Sequence, residues 1–375
     1  MNKQFITDFK ALELKRFPYQ KTQNLQAWNA ADEYLLQHLY GQADNLEGKN
    51  ILIFNDAFGA LTLPLIKYQP FVVTDSILSQ KAIINNVQSN DLNLTNIHLY
   101  NSLSKHKTCY DFVLIKAPKT LDFLRYFLSS IIQHINSSTT IIVAGMIKNM
   151  PKTICTILEE NIGETNTSLA KKKARLIFVK PQNKQNTPPQ IQSYKQESSN
   201  HTIFSHANVF SKQSLDIGTR FLLQHLPKLP NIDHIIDLGC GNGVVGLNLT
   251  VLYPDSKITF VDESFMAIAS AKLTCQYNLN SLDNCQFIVN NCLDDFTPNS
   301  TDLIVCNPPF HQSHSVGTHI ALQMFQQSHK TLNKGGTLLV VANRHLPYYS
   351  HLKRIFSKVD NLAGNAKFSI YEMTK

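Results

Sequence analysis

Apolar residues fall in short, nearly continuous runs along the chain. Ile51-Leu52-Ile53-Phe54, Phe71-Val72-Val73, Phe112-Val113-Leu114-Ile115 and Ile141-Ile142-Val143-Ala144 mark the first half. The second half carries Ile235-Ile236, Ile258-Thr259-Phe260-Val261, Phe287-Ile288-Val289, Leu303-Ile304-Val305-Cys306 and Leu338-Leu339-Val340-Val341. Runs this short, with little polar alternation, predict strands buried on both faces. Between them lie stretches with helical spacing, such as Ser264 to Tyr277, so each half predicts an open α/β sheet. No run approaches the roughly 18 apolar residues of a membrane-spanning helix. Met1 to Asp8 contains no apolar segment of signal-peptide length. The seven cysteines form no C-x-x-C pair, and Cys109, Cys240 and Cys306 sit in or beside strand-like runs, where a thiol acts as a small hydrophobe. A soluble cytoplasmic protein of a reducing compartment is expected.

A chain of 375 residues has room for two domains, at about 150 residues each. The stretch from Pro181 to Gln190, continuing to Asn200, is rich in Pro, Gln, Asn and Ser and nearly empty of core residues. About 20 structureless residues inside one domain would be unusual. Domains are therefore expected at 1–180 and 200–375, with a linker at 181–199. The two halves also repeat one order of strands. Asp111-Phe112-Val113-Leu114-Ile115-Lys116-Ala117-Pro118-Lys119 parallels Asp302-Leu303-Ile304-Val305-Cys306-Asn307-Pro308-Pro309-Phe310, position by position. Internal duplication explains this; two unrelated α/β domains converging on similar strands are the alternative.

Chemistry concentrates in the second half. Asp237-Leu238-Gly239-Cys240-Gly241-Asn242-Gly243 follows a strand and precedes an apolar helix. Glycines let the backbone turn sharply and approach a ligand, and the helix start offers N–H groups. Dinucleotide enzymes share such a turn. Asp262, ending the next strand, narrows the reading, because its carboxylate suits a ribose diol. Asn307-Pro308-Pro309-Phe310 then closes a third strand. An exocyclic amine on a base is a poor nucleophile because its lone pair is delocalised into the ring. Acceptors on both of its N–H groups favour a pyramidal, more nucleophilic nitrogen. Asn307 supplies a side-chain carbonyl and Pro308 a backbone carbonyl, held in a rigid turn by Pro309. Phe310 offers a π-face to a flipped-out base. His311 and His314 have a spacing seen at metal sites, but no Cys or third histidine completes one, so no metal is expected.

In this order and spacing the motifs resemble the class I S-adenosylmethionine-dependent methyltransferases that carry N-P-P-F/Y and modify planar amines. Asn208-Val209-Phe210-Ser211 and Leu215-Asp216-Ile217-Gly218-Thr219-Arg220 are similar to the segment covering the cofactor in the RsmC/RlmG family of guanine-N2 rRNA methyltransferases. Val261-Asp262-Glu263-Ser264, Asn290-Asn291, Asn307 to Gln312 and Val341 to Leu346 fit the large-subunit branch of that family more closely. The resemblance implies two tandem Rossmann-like class I methyltransferase domains, the first degenerate. It implies methyl transfer from S-adenosylmethionine to the exocyclic N2 of a guanine in 23S rRNA, naked or in an assembly intermediate. It places Asp237, Gly239, Gly241 and Gly243 around the cofactor, Asp262 on its ribose and Asn291 at its adenine amine. Asn307, Pro308 and Phe310 become the catalytic set, Asn307 also bordering the cofactor. A monomer with no membrane partner is expected. Guanine-N2 methylation of 16S rRNA, an adenine or protein glutamine acceptor, and a non-catalytic RNA-binding assembly factor are the alternatives.

The first half departs from this pattern. Lys116, Ala117 and Lys119 stand where the other half has Asn307, Pro308 and Phe310, and of the glycines only Gly59 remains. Such a site should neither hold the cofactor nor activate an amine. Overall, 35 basic residues face 27 acidic ones, a net charge of +8. Residues 1–200 hold 22 basic and 15 acidic residues, and so most of the excess. Lys105, Lys107, Lys116, Lys119, Lys171-Lys172-Lys173 and Arg175 are therefore candidate phosphate contacts, and the first domain is expected to bind RNA.

Overall fold

The computed structural model describes residues 4–19, 25–182, 184, 190–309 and 316–375. The chain divides into two compact units, Met1–Gln190 and Ile191–Lys375.

The first unit opens with a short antiparallel pair, β1 (Gln4–Ile6) and β2 (Ala11–Glu13), followed by α1 (Ala30–Tyr40). Asn29 starts α1 through a capping box: its side chain accepts from Ala31 N, and Asp32 accepts from Asn29 N. Seven strands then form one sheet: β3 (Ile51–Phe54), β4 (Phe71–Thr74), β5 (His98–Asn101), β6 (Phe112–Lys116), β7 (Thr140–Met146), β8 (Gly163–Thr167) and β9 (Ala174–Pro181). Their spatial order is β5-β4-β3-β6-β7-β9-β8. The helices α2 (Ile77–Ser89), α3 (Leu121–Ile131) and α4 (Thr153–Asn161) lie between strands in sequence.

The second unit repeats this plan. Beyond a hairpin of β10 (Gln192–Lys195) and β11 (Thr202–Ser205) come α5 (Ile217–Leu223), β12 (His234–Leu238), α6 (Val244–Leu252), β13 (Lys257–Asp262) and α7 (Phe265–Asn278). There follow β14 (Cys285–Val289), β15 (Thr301–Cys306), α8 (Val316–Thr331), β16 (Leu332–Asn343), α9 (Tyr348–Ile355), β17 (Lys358–Gly364) and β18 (Phe368–Thr374). The sheet order β14-β13-β12-β15-β16-β18-β17 is the same seven-strand order as in the first unit. In both, the first five strands by position are parallel, and the remaining two pairings, to the sixth strand and from it to the seventh, are antiparallel.

Alternate residues of the second sheet enter two separate cores. Ile235, Ile258, Phe260, Leu303, Val305, Leu339 and Val341 pack on one face; Ile236, Leu238, Val261, Ile304, Cys306, Leu338 and Val340 pack on the other. That is why these strands read as unbroken apolar runs. The chain order reverses between β12 and β15, and the crevice at the carboxyl ends of such strands is where open α/β sheets hold ligands.

The expected α/β architecture in two tandem units is present. Within 181–199, Pro181 ends β9 and Gln192–Lys195 forms β10, which pairs residue by residue with β11, while 183 and 185–189 lie outside the described residues. Among the described residues, no helix is long and apolar enough to cross a membrane.

Candidate active site

Four carboxyl-terminal strand ends in the second unit bring the expected residues to one edge. The turn after β12 carries Gly239, Gly241 and Gly243 with φ of 75°, 54° and 79°. At Gly241 a Cβ would meet no atom within 4 Å, so that part of the turn faces open room. At Gly243 a Cβ would lie 2.7 Å from the Ala271 Cα, so only glycine allows the turn to seat against α7. Asp262 ends β13, and its Oδ2 accepts from Gly241 N at 3.0 Å while Oδ1 accepts from Ser264 N at 3.0 Å. These bonds fix the carboxylate beside the glycine turn.

Asp237 lies deeper. Its carboxylate is 3% exposed and accepts from Gly246 N at 2.7 Å, bracing the start of α6 from beneath rather than lining the open side of the turn. Burial, with Asp262 nearby, pushes its pKa up to about 7, against the pull of the Gly246 bond. The folded protein thus retains a proton that the unfolded chain has lost above about pH 4, so stability from this group falls as pH rises from about 4 to 7. The full effect is on the order of 4 kcal/mol. Asp237→Asn keeps an acceptor for Gly246 and removes the charge. Hydrogen-exchange protection of β12, corrected for intrinsic rates, should then depend less on pH between 5 and 8 than in the wild type. Equal pH dependence in the two proteins would refute this account.

Asn291 follows β14 and is 5% exposed; its Nδ2 donates to Asp294 Oδ2 at 2.8 Å, and Asp294 Oδ1 accepts from Gln327 Nε2 at 2.7 Å. Asn307 follows β15. Its Nδ2 donates to Thr219 Oγ1 at 2.8 Å, and its Oδ1 is buried with no hydrogen-bond partner among the described residues. A buried acceptor left unsatisfied costs about 1–3 kcal/mol and calls for an explanation. Pro308 is buried beside it, and Phe310, with His311 and His314, lies outside the described residues. The part of Thr219 is the feature the sequence did not signal, since nothing in the order of residues marks which side chain an asparagine 88 positions later will meet.

These residues fit S-adenosylmethionine. Among the described residues the turn leaves open space at Gly241, Asp262 stands as the anchored acid on the neighbouring strand, and the Asn307 acceptor has no partner at the switch point.

The corresponding edge of the first unit is filled by its own side chains. Asp56, 2% exposed, follows β3 and accepts from Gly59 N, Ala60 N, Leu61 N, Thr62 N and Thr62 Oγ1 at 2.8 to 3.0 Å. Lys116, at the end of β6, is paired with Asp32 of α1; the two side chains are 15% and 3% exposed. Lys116 is thus an internal ion-pair partner, which corrects its assignment as a phosphate contact. Its charge is spent on a buried carboxylate. Lys172 pairs with Glu33, while Lys105, Lys107 and Lys119 are exposed.

Both halves of the chain match known protein families. Residues 2–183 match the RLMG N-terminal domain and residues 200–372 the methyltransferase small domain. The chain is 43% identical over 372 residues to the ribosomal RNA large subunit methyltransferase G of Pseudoalteromonas atlantica, covering 97% of each chain. It is 42% identical over 369 residues to the protein of that name from Aeromonas salmonicida, again covering 97% of each. Among solved structures, the T. thermophilus 16S rRNA N2 methyltransferase RsmC, in complex with AdoMet and guanosine, shares the fold. Its TM-score is 0.78 at 17% sequence identity, over 99% of this chain and 97% of that one.

Proposed function

We propose, since this chain belongs to the ribosomal RNA large subunit methyltransferase G family, that it methylates the exocyclic N2 of a guanine in 23S rRNA, with S-adenosylmethionine as donor. The observation that carries the acceptor chemistry is the buried, unpaired Oδ1 of Asn307 at the switch point. An amine N–H is the partner this oxygen lacks.

S-adenosylmethionine, when bound, supplies a methyl group activated on a sulfonium. The protein supplies place and orientation. Gly239, Gly241 and Gly243 would line its methionine part, and Asp262 would accept from its ribose hydroxyls. Asn291, its Nδ2 donating to Asp294 Oδ2, would keep Oδ1 as an acceptor for the adenine amine. Asp237 serves the pocket from behind, by holding Gly246 and so the start of α6. Asn307 Oδ1 and the Pro308 carbonyl would accept hydrogen bonds from the two N–H groups of guanine N2 and so hold the nitrogen lone pair clear of both. Phe310 stacking on the guanine ring rests on the sequence pattern alone. The preference for 23S over 16S rRNA rests on relatives at 42–43% identity; the 16S enzyme RsmC is a likeness of fold.

The test is transfer of labelled methyl from S-adenosylmethionine to 23S and 16S rRNA, deproteinised and in subunits, from cells lacking the protein. N2-methylguanosine should appear at one position in 23S rRNA. Label confined to 16S rRNA would reassign the substrate, and no label in any of the four would reject the proposal.

A further inference from the structure

We propose that Thr219, fixed by Asp216, is a positioning residue that decides which way round the Asn307 amide sits. The inference rests on the role given above to Asn307. Asp216 caps α5, and its Oδ2 accepts from Thr219 N at 2.9 Å and from the Thr219 hydroxyl at 3.3 Å. A carboxylate only accepts, so the single hydroxyl proton of Thr219 points to Asp216. Thr219 Oγ1 is left with lone pairs, and the group 2.8 Å away must donate. Of the two ends of the Asn307 amide only the NH2 donates, so the NH2 is drawn toward Thr219 and Oδ1 is directed away from it, into the position where it has no partner among the described residues.

The opposite orientation fails twice. It would set Oδ1 against an oxygen whose proton is already given away, and it would turn two N–H donors toward a substrate amine that also donates. Such a site would repel the amine it should activate. Thr219 is 7% exposed, so no solvent proton readily substitutes for the missing partner. The short stretch Asp216-Ile217-Gly218-Thr219 is therefore more than a cover over the cofactor. Gly218 belongs to it for a steric reason, since a Cβ there would stand 3.1 Å from both Asp216 Oδ2 and a Phe368 ring carbon.

Thr219→Val keeps the shape and removes the hydroxyl. In the full-length protein kcat should fall about tenfold, with the S-adenosylmethionine dissociation constant and the melting temperature little changed. Thr219→Ser should restore kcat. The discriminating measurement adds Asn307→Asp, whose two side-chain oxygens are equivalent and leave no orientation to choose. In that background Thr219→Val should cost at most about twofold, whereas a general packing role would repeat the tenfold loss. Equal losses in the two backgrounds, failure of Thr219→Ser to rescue, or wild-type kcat in Thr219→Val would each overturn the inference. A wild-type protein that methylates no guanine would instead reject the proposed function itself.

Discussion

Asn307→Ala should lower kcat for methyl transfer by about 100- to 1,000-fold and leave S-adenosylmethionine affinity within about twofold of the wild type. The size follows from where the acceptor acts. Guanine N2 carries growing positive charge as it takes the methyl group, so acceptors on its protons bind the transition state better than the ground state. Asn307 Oδ1 is buried and already oriented, so little reorganisation remains at the moment of reaction. In the proposed site the cofactor would lean on other residues: the glycine turn and Asp262 are tied to each other through Gly241 N, and Asn307 takes no part in that bond. Isothermal titration with S-adenosylmethionine and single-turnover methylation of 23S rRNA separate the two effects. Unchanged single-turnover rates would remove Asn307 from the mechanism. Asn307→Asp should fall between wild type and alanine, because it keeps acceptor oxygens while losing the donor to Thr219.

Those parts of the site that repeat the period of the sheet are legible in the sequence. A glycine turn, an acid and an N-P-P run each follow an apolar strand, and parallel strands deliver their ends to one edge. Asn307 and Asp262 are therefore brought to that edge by topology alone. What escapes is contact across long separations. The partner of Asn307 lies 88 residues earlier, and the partner of Lys116 lies 84 residues earlier. Strand β17 escapes for a different reason: Lys358 to Gly364 is an exposed edge segment, with no apolar run to mark it. The hairpin of β10 and β11 was hidden by composition. Gln192-Ser193-Tyr194-Lys195 reads as linker, yet its partner strand is pinned to α7, where Phe204 N donates to Thr274 Oγ1 at 3.0 Å and His206 N to Ser270 Oγ at 2.9 Å. A basic residue at the old amine-binding position invited an RNA role, and its buried partner supplies a different one.

Lys116→Met should destabilise the first unit by about 3 kcal/mol, because it leaves Asp32 buried without its cation. Asp32 is already costly there: burial, with Asp56 close by, holds its carboxyl above the usual range even while Lys116 pulls it down. Trp28, the single tryptophan of the chain, is buried next to the Asn29 cap that Asp32 completes, so its fluorescence follows this unit alone. At an m value of about 2 kcal/mol/M, the urea midpoint should drop by about 1.5 M at pH 8. Losing the cation raises the Asp32 pKa further. The folded variant then holds a proton that the unfolded chain gives up above about pH 4, so its stability falls as pH rises and the gap from wild type narrows on acidification. Adding Asp32→Asn should recover most of the loss, since a neutral amide needs no counter-charge and still accepts from Asn29 N. A Lys116→Met protein with an unchanged Trp28 transition and a shallower salt dependence of RNA binding would return Lys116 to the RNA-contacting surface and remove it from the interior.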